Sequence, residues 1–342
     1  MTDLKSMTLQ ELEDLIAGSG EKKFRAAQIY KWLHKDLCMD AEEMTNLPKT
    51  MRQKINDTCI IKNCQIEERQ ISKLDGTTKY LFRLQDGNAV EGVFLKYHHG
   101  DSVCISSQAG CRMGCRFCAS TVGGLKRNLT PGEMLDEVYS IQKDKGERIS
   151  NIIIMGIGEP FDNYDNIIRF LHLIKAPEGL NISPRNITIS TCGLVPYIKR
   201  FADEGLPVTL AISLHAPFDA MRQKMMPIAN KYSISEIMDA VDYYIEKTGR
   251  RLTLEYTLIH GTNDTEECAE KLSQLVHGRL IHVNLIPLNK VEGRYGERPD
   301  ADEIEAFKFL LEKLHINVTI RRGMGRDIDA ACGMLRNKKD DI

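Results

Sequence analysis

Residues 102–120 read SVCISSQAGCRMGCRFCAS, an apolar run followed directly by a glycine-bearing loop with three cysteines. Val103–Ser107 has the length and content of a short buried strand, and Gly110 and Gly114 let the chain turn behind it. Cys111, Cys115 and Cys118 follow at spacings of four and three. With ten cysteines in 342 residues, chance yields that triple on the order of once in a hundred such chains. Three soft ligands on one loop can converge on a single metal centre. Structural zinc normally takes four ligands, often as two separated pairs, and no second CxxC is present. The triple suits an iron–sulfur cluster with one open iron; zinc completed by Cys104 or a histidine is the alternative.

Outward from this loop the chain alternates. Strand-like runs lie at Asn151–Met155, Asn186–Ser190, Val208–Ser213, Thr253–Thr257, Ile281–Ile286 and Asn317–Ile320. Helical patterns fall between them at Pro131–Lys143, Tyr197–Asp203, Ile234–Thr248, Glu266–Val276 and Ala301–Leu314. Such alternation predicts an α/β fold with a parallel sheet, doubly wound or curled into a full or partial barrel. In either case chemistry belongs at the C-terminal strand ends. The first 65 residues read as helices instead. Thr8 and Glu11 form a capping box, a second helix covers Phe24–His34, and a third runs from near Pro48 toward Ile55. Asp75-Gly76 and Asp86-Gly87 mark hairpins around strands at Lys79–Leu84 and Ala89–Tyr97. The expected division is a helical N-terminal accessory domain at 1–65 and a linking β-hairpin at 66–98. A core follows at 99–336, then a tail at 337–342.

Lys and Arg number 46 against 48 Asp and Glu, a net charge of −2, so any nucleic-acid contact must come from a local patch. Two basic groups qualify: Arg112, Arg116, Lys126 and Arg127 in a stretch without acids, and Arg321, Arg322, Arg326 and Arg336 near Cys332. No run approaches the roughly 20 apolar residues of a membrane helix. The opening MTDLKSMTLQELEDL lacks the basic and apolar regions of an export signal. The expectation is a cytoplasmic chain with reduced thiols and no membrane partner.

MGIGEP, Met155 to Pro160, ends a strand with two glycines that let the backbone approach a ligand, and Glu159 offers a carboxylate for an ammonium. A dinucleotide fingerprint would need glycine where Phe161 stands. Ser190 in STCG, Ser213 in SLHAP and Asn289 in IPLN end later strands and could line one pocket. Taken singly, each is more often a turn or a satisfied polar group.

CxxxCxFC after the first strand of an α/β chain resembles the radical SAM superfamily. The wider set of SSQAGCRMGCRFCAS, GGLKRNLT, MGIGEP, ISLHAP, NLIPLN and DIDAACGML resembles the RlmN/Cfr family of ribosomal RNA adenine methyltransferases. FRAAQIYKWLHK and EMTNLPKTMRQKI extend the likeness through the amino-terminal region. The resemblance implies a partial (β/α)6 barrel with one 4Fe–4S cluster on Cys111, Cys115 and Cys118. It implies S-adenosylmethionine contacts from Gly158, Glu159, Ser190, Ser213, Leu214, His215 and Asn289, with two molecules consumed per methylation. Cys332 matches the methyl carrier, which forms a thioether link to RNA. Cys104 matches the thiol that resolves that link, ending as a Cys104–Cys332 disulfide, and Glu91 matches a proton acceptor beside the adenine. The implied product is methylation at C2 of adenosine 2503 in 23S rRNA before full ribosome assembly, with tRNA adenosine 37 a further target in some members. A flavodoxin- or ferredoxin-type donor is implied as reductant. Methylation at C8 of the same adenosine, the Cfr reaction, remains the alternative, as does a zinc-stabilised RNA-binding protein without catalysis. Read without the family, Cys332 is a small buried residue and Glu91 a solvated charge. Cys192 reads as structural.

Overall fold

The computed structural model describes residues 1–98, 100–289, 293–330 and 333–336; Cys332 and the tail 337–342 lie outside the described residues. Three helices open the chain: α1 (Leu9–Gly18), α2 (Phe24–His34) and α3 (Lys49–Thr58). The capping box at Thr8 forms with both hydrogen bonds, fixing the start of α1. Leu12, Ile16, Ile29, Leu33, Met51 and Ile55 give this region its own core. Polar groups then fasten it to the rest: Lys5 pairs with Asp136, both fully buried, and His34 Nδ1 meets the Tyr139 hydroxyl at 2.8 Å.

Ten strands form one sheet: β1 (Gln65–Ile71), β2 (Thr78–Arg83), β3 (Ala89–Leu95), β4 (Ser102–Cys104), β5 (Asn151–Ile154), β6 (Ile187–Thr191), β7 (Thr209–Ser213), β8 (Leu252–Leu258), β9 (Ile281–Pro287) and β10 (Val318–Ile320). Their spatial order is their sequence order. β1 to β4 pair antiparallel, and β4 to β10 pair parallel. Crossovers between parallel strands carry α4 (Pro131–Lys145), α5 (Tyr164–Ile174), α6 (Val195–Asp203), α7 (Asp219–Met225) with α8 (Ile234–Thr248), α9 (Glu266–Val276) and α10 (Ala301–Lys313). The result is six βα units and a closing strand, with β1 and β10 as open edges among the described residues. Ile152, Ile154, Ile189, Leu210, Ile212, Leu254, Val283 and Leu285 are buried on these strands. Burial alternates along ITIST and IHVNLIP, whereas Leu210, Ala211 and Ile212 are buried in succession on β7. No helix among the described residues is long and apolar enough to cross a membrane.

Three sequence expectations need correction. The 66–98 segment, expected as a linking β-hairpin, holds three antiparallel strands rather than two, hydrogen-bonded into the main sheet through β3 and β4. Its first strand, QIEERQI, escapes a hydrophobic reading because it is an edge with its side chains largely in solvent. Strand β4 stops at Cys104 rather than Ser107, since Ser107 and Gln108 donate their N–H groups to the Ile157 carbonyl.

Candidate active site

The cysteine loop leaves the C-terminal side of β4 and is closed by its own backbone. Gly110 has φ +82°, and a Cβ there would overlap the Gly124 carbonyl oxygen, so glycine alone lets the two arms meet. Cys111 N–H donates to that same carbonyl at 3.1 Å. The Thr121 hydroxyl donates to the carbonyls of Cys118 and Cys115 at 3.0 and 3.3 Å. Helix α7 backs the loop, with Arg116 N–H donating to Met225 at 2.9 Å.

All three thiol residues line one cavity of about 250 Å³. Facing them are Gly158, Glu159, Ser190, Ser213, His215, Thr257 and Asn289, drawn from five consecutive strands and the turns that follow them, β5 to β9. At about 4.8 Å between strands, a flat sheet would spread those ends over about 19 Å, so the sheet must curl round the cavity.

Within the wall, Glu159 is buried and accepts Phe161 N–H at 3.0 Å and Cys192 N–H at 2.7 Å. Burial raises its pKa, and those N–H groups oppose the rise. The Ser190 and Ser213 hydroxyls lie 3.3 Å apart. His215 sits at φ +59°, uncommon for a residue with a side chain. It is held there by Asn263, which donates to its carbonyl at 2.7 Å, and by Thr257 N–H on its Nδ1 at 2.9 Å. Burial lowers the imidazole pKa to about 3, so it stays neutral at physiological pH.

Both glycines of MGIGEP line the cavity, and both also sit where a side chain would not fit. A Cβ on Gly156 would lie 2.6 Å from the Ile105 carbonyl oxygen, and one on Gly158 would lie 2.7 Å from Ser107 Oγ. They let this turn cross the start of the cysteine loop, which aims Glu159 into the cavity. Leu214 stands apart from the other expected contacts. Its side chain is fully buried and does not line this cavity, while its carbonyl accepts from Arg222 Nε at 3.1 Å.

The donor set fits a 4Fe–4S cluster. Burial pushes Cys111 up to about 12 and also raises Cys115, with Glu159 and neighbouring thiols adding to it. Such thiols ionise when a metal supplies the positive charge. Cys104, one of the fourth ligands a zinc site could take, lies in a second cavity of about 680 Å³, whereas His215 lines the first. The two cavities adjoin, sharing Ile286, Asn289 and Arg321. Ala330 and Met334, two positions either side of Cys332, line the second cavity along with Cys104. Glu91 lines neither cavity; it is buried and paired with Lys79 at 2.6 Å.

The basic patch of the cysteine loop is partly neutralised. Arg112 pairs with Asp162, and Arg127 with Asp86 and with Glu133 at 2.8 Å. Arg336 is buried, its guanidinium on the Val122 carbonyl at 3.1 Å. Arg298, Arg321, Arg322 and Arg326 instead line the second cavity. Cys192, Thr191, Glu255 and Thr257 also line the first cavity, although the sequence reading does not single them out as site residues. Position directly after Ser190 on a strand end was the one local signal for Thr191 and Cys192.

Residues 105–272 match the model of the radical SAM superfamily, and residues 2–61 match that of the ribosomal RNA large subunit methyltransferase N-terminal domain. A probable dual-specificity RNA methyltransferase RlmN from Lachnospira eligens is 59% identical, covering 99% of this chain and 97% of its own. A protein of the same name from Lachnoclostridium phytofermentans is 58% identical over 99% of this chain and 95% of its own. The crystal structure of a radical SAM methyltransferase from Sphaerobacter thermophilus superposes with a TM-score of 0.94 at 41% identity, covering 98% of this chain and 99% of that one. With near-complete coverage at both ends, and three cysteines set in a curled α/β sheet, the chain belongs to the RlmN family of radical SAM RNA methyltransferases.

Proposed function

We propose that this protein methylates C2 of adenosine 2503 in 23S rRNA, and C2 of adenosine 37 in tRNA, working in the cytoplasm before full ribosome assembly. The observation that carries the proposal is the pair of adjoining cavities: three thiols face a polar wall in one, and Cys104 with the residues flanking Cys332 lines the other. Cys111, Cys115 and Cys118 hold the cluster. Glu159, Ser190, Ser213 and Asn289 supply the polar groups for the amino and carboxylate ends of S-adenosylmethionine, with Gly158, Leu214 and His215 shaping the backbone around it. When bound, cluster and S-adenosylmethionine supply a methyl donor and an organic radical that removes hydrogen from an unactivated C–H bond, two S-adenosylmethionines being used per product.

Cys332 accepts the methyl group on sulfur and carries it to the base. Attack of the Cys104 thiolate on the Cys332 sulfur then breaks the bond from that sulfur to the methylene carbon on the base and forms a Cys104–Cys332 disulfide, and the freed methylene carbon takes up a proton to become the methyl group. C2 of adenine is not nucleophilic, so a thiol carrier and a radical route replace direct displacement. Glu91 takes a proton during release of the product. A flavodoxin- or ferredoxin-type protein supplies electrons. The second cavity, with four arginines and one carboxylate, Glu305, suits a flipped nucleotide and its phosphates.

Mass spectrometry of nucleosides from 23S rRNA and tRNA of cells with and without this gene tests the proposal. Loss of 2-methyladenosine from both RNAs is expected on deletion. Loss of 8-methyladenosine would assign the C8 reaction instead, and unchanged tRNA would remove the second substrate.

A further inference from the structure

Strands β2 and β3 carry a lysine and a glutamate into the protein interior: Lys79 is 1% and Glu91 2% exposed. Burying such a pair costs about as much in desolvation as the attraction returns, so it is weak as a device for stability alone. Its other bonds say what it holds. Gly333 N–H donates to Glu91 Oε2 at 2.6 Å, and Arg336 N–H donates to Oε1 at 2.7 Å. On the other side of Cys332 in sequence, Lys79 Nζ donates to the Ala330 carbonyl at 3.5 Å. One ion pair thus grips the chain two positions before Cys332 and one position after it.

Packing reinforces the grip. Leu335 joins Leu81 and Ala89 in a small apolar cluster. A Cβ on Gly333 would lie 2.7 Å from Ser120 N and 2.8 Å from the Ala119 carbonyl carbon, so this glycine is seated on the chain just after Cys118. The turn between β1 and β2 holds the approach. Ser72 Oγ and Lys73 N–H donate to Asp327 at 2.6 and 2.8 Å, and Gly325 N–H donates to Asp75 at 2.8 Å. The antiparallel extension is therefore a bed for the segment that carries Cys332.

We infer that Lys79 is a positioning residue acting through Glu91: the pair latches the Cys332 segment, and a nucleotide can engage the Glu91 carboxylate only after the Gly333 and Arg336 N–H groups let go. This rests on the assignments of Cys332 as methyl carrier and Glu91 as proton acceptor. Glu91 is buried in the latched state and lines neither cavity, so a base can reach its carboxylate only once the segment that covers it moves. Arrival of RNA at Glu91 and release of the segment become one event.

The test uses the full chain with its cluster reconstituted, as wild type, Lys79→Met, Lys79→Arg and Glu91→Gln. Without RNA, amide hydrogen exchange at residues 333–336 is expected to rise at least tenfold in Lys79→Met, with exchange in β5 to β8 unchanged. Single-turnover methyl transfer to Cys332, read by peptide mass spectrometry, is expected to slow at least tenfold with the KM for S-adenosylmethionine unchanged. Lys79→Arg should restore both. Glu91→Gln reads the latch from its other partner should Lys79→Met fold poorly, and the same rise at 333–336 is expected. Unaltered exchange at 333–336 in a folded variant overturns the latch, as does a wild-type rate of Cys332 methylation in Lys79→Met. No methyl on Cys332 in the wild type would instead sink the carrier assignment, with hydrogen exchange still judging the latch.

Discussion

Replacing Arg322 and Arg326 together by alanine should flatten the salt dependence of RNA binding by a calculable amount. Both are exposed, both line the cavity that holds Cys104, and neither enters an ion pair among the described residues. Each phosphate contact contributes about 0.7–0.9 to the slope of log K against log salt, the lower figure for single strands. Two lost contacts remove about 1.4–1.8 from the slope, so across a fourfold rise in salt the wild type should lose about seven- to twelvefold more affinity than the variant. Fluorescence anisotropy with an rRNA fragment, from about 50 to 200 mM salt, measures the difference directly. Arg127→Ala is the control, because its guanidinium is already committed to Asp86 and Glu133 and should change the slope by less than one contact. An unchanged slope in Arg322→Ala/Arg326→Ala, or an equal change in Arg127→Ala, would refute a phosphate role for the second cavity.

Three shorter expectations accompany it. Cys115→Ala should lose the iron, the sulfide and the visible absorbance of the reconstituted protein; retention of full iron would remove Cys115 from the ligand set. Lys5→Met leaves the Asp136 carboxylate buried without its cation and should cost about 3–5 kcal/mol, seen as a lower urea midpoint, whereas Lys5→Met/Asp136→Leu should recover part of that. Cys104→Ala should copurify with RNA joined to Cys332, detectable as a nucleotide-modified peptide after ribonuclease, and normal turnover without trapped RNA would return Cys104 to an ordinary strand-end thiol.

What sequence alone could show of the fold followed from how local the cause was. TLAIS at Thr209–Ser213 has three successive buried apolar residues, NIII at Asn151–Ile154 alternates half-buried and buried positions, and both are strands. The capping boxes at Thr8, Thr130, Ser233 and Asp300 are complete within four residues, and each starts a helix. DAMRQKM gives the opposite case. It is polar and only seven residues long, yet it forms α7 because Arg222 at its centre is fully buried and donates to the carbonyls of Leu214 and Cys192 at 3.1 and 2.7 Å. Those acceptors belong to two other strand ends, so no local pattern announces them.

The site divides along the same line. Cysteine spacing and polar groups after apolar strands are local, and the structure gathers Cys111, Cys115, Cys118, Glu159, Ser190 and Ser213 on one cavity. Glu91 could not be read in that way. VEGVFLK looks like an alternating strand with one solvated charge, but every residue of β3 is buried. Ile141 of α4 reaches one side of it, at 3.1 Å from where a Cβ on Gly92 would stand. Glu91 itself is covered by Gly333 and Arg336, more than 240 positions away in sequence. A carboxylate so placed needs its cation and its N–H donors present together, because any one missing leaves buried charge unsatisfied. That requirement ties the arrival of the C-terminal segment to the fold of the antiparallel extension.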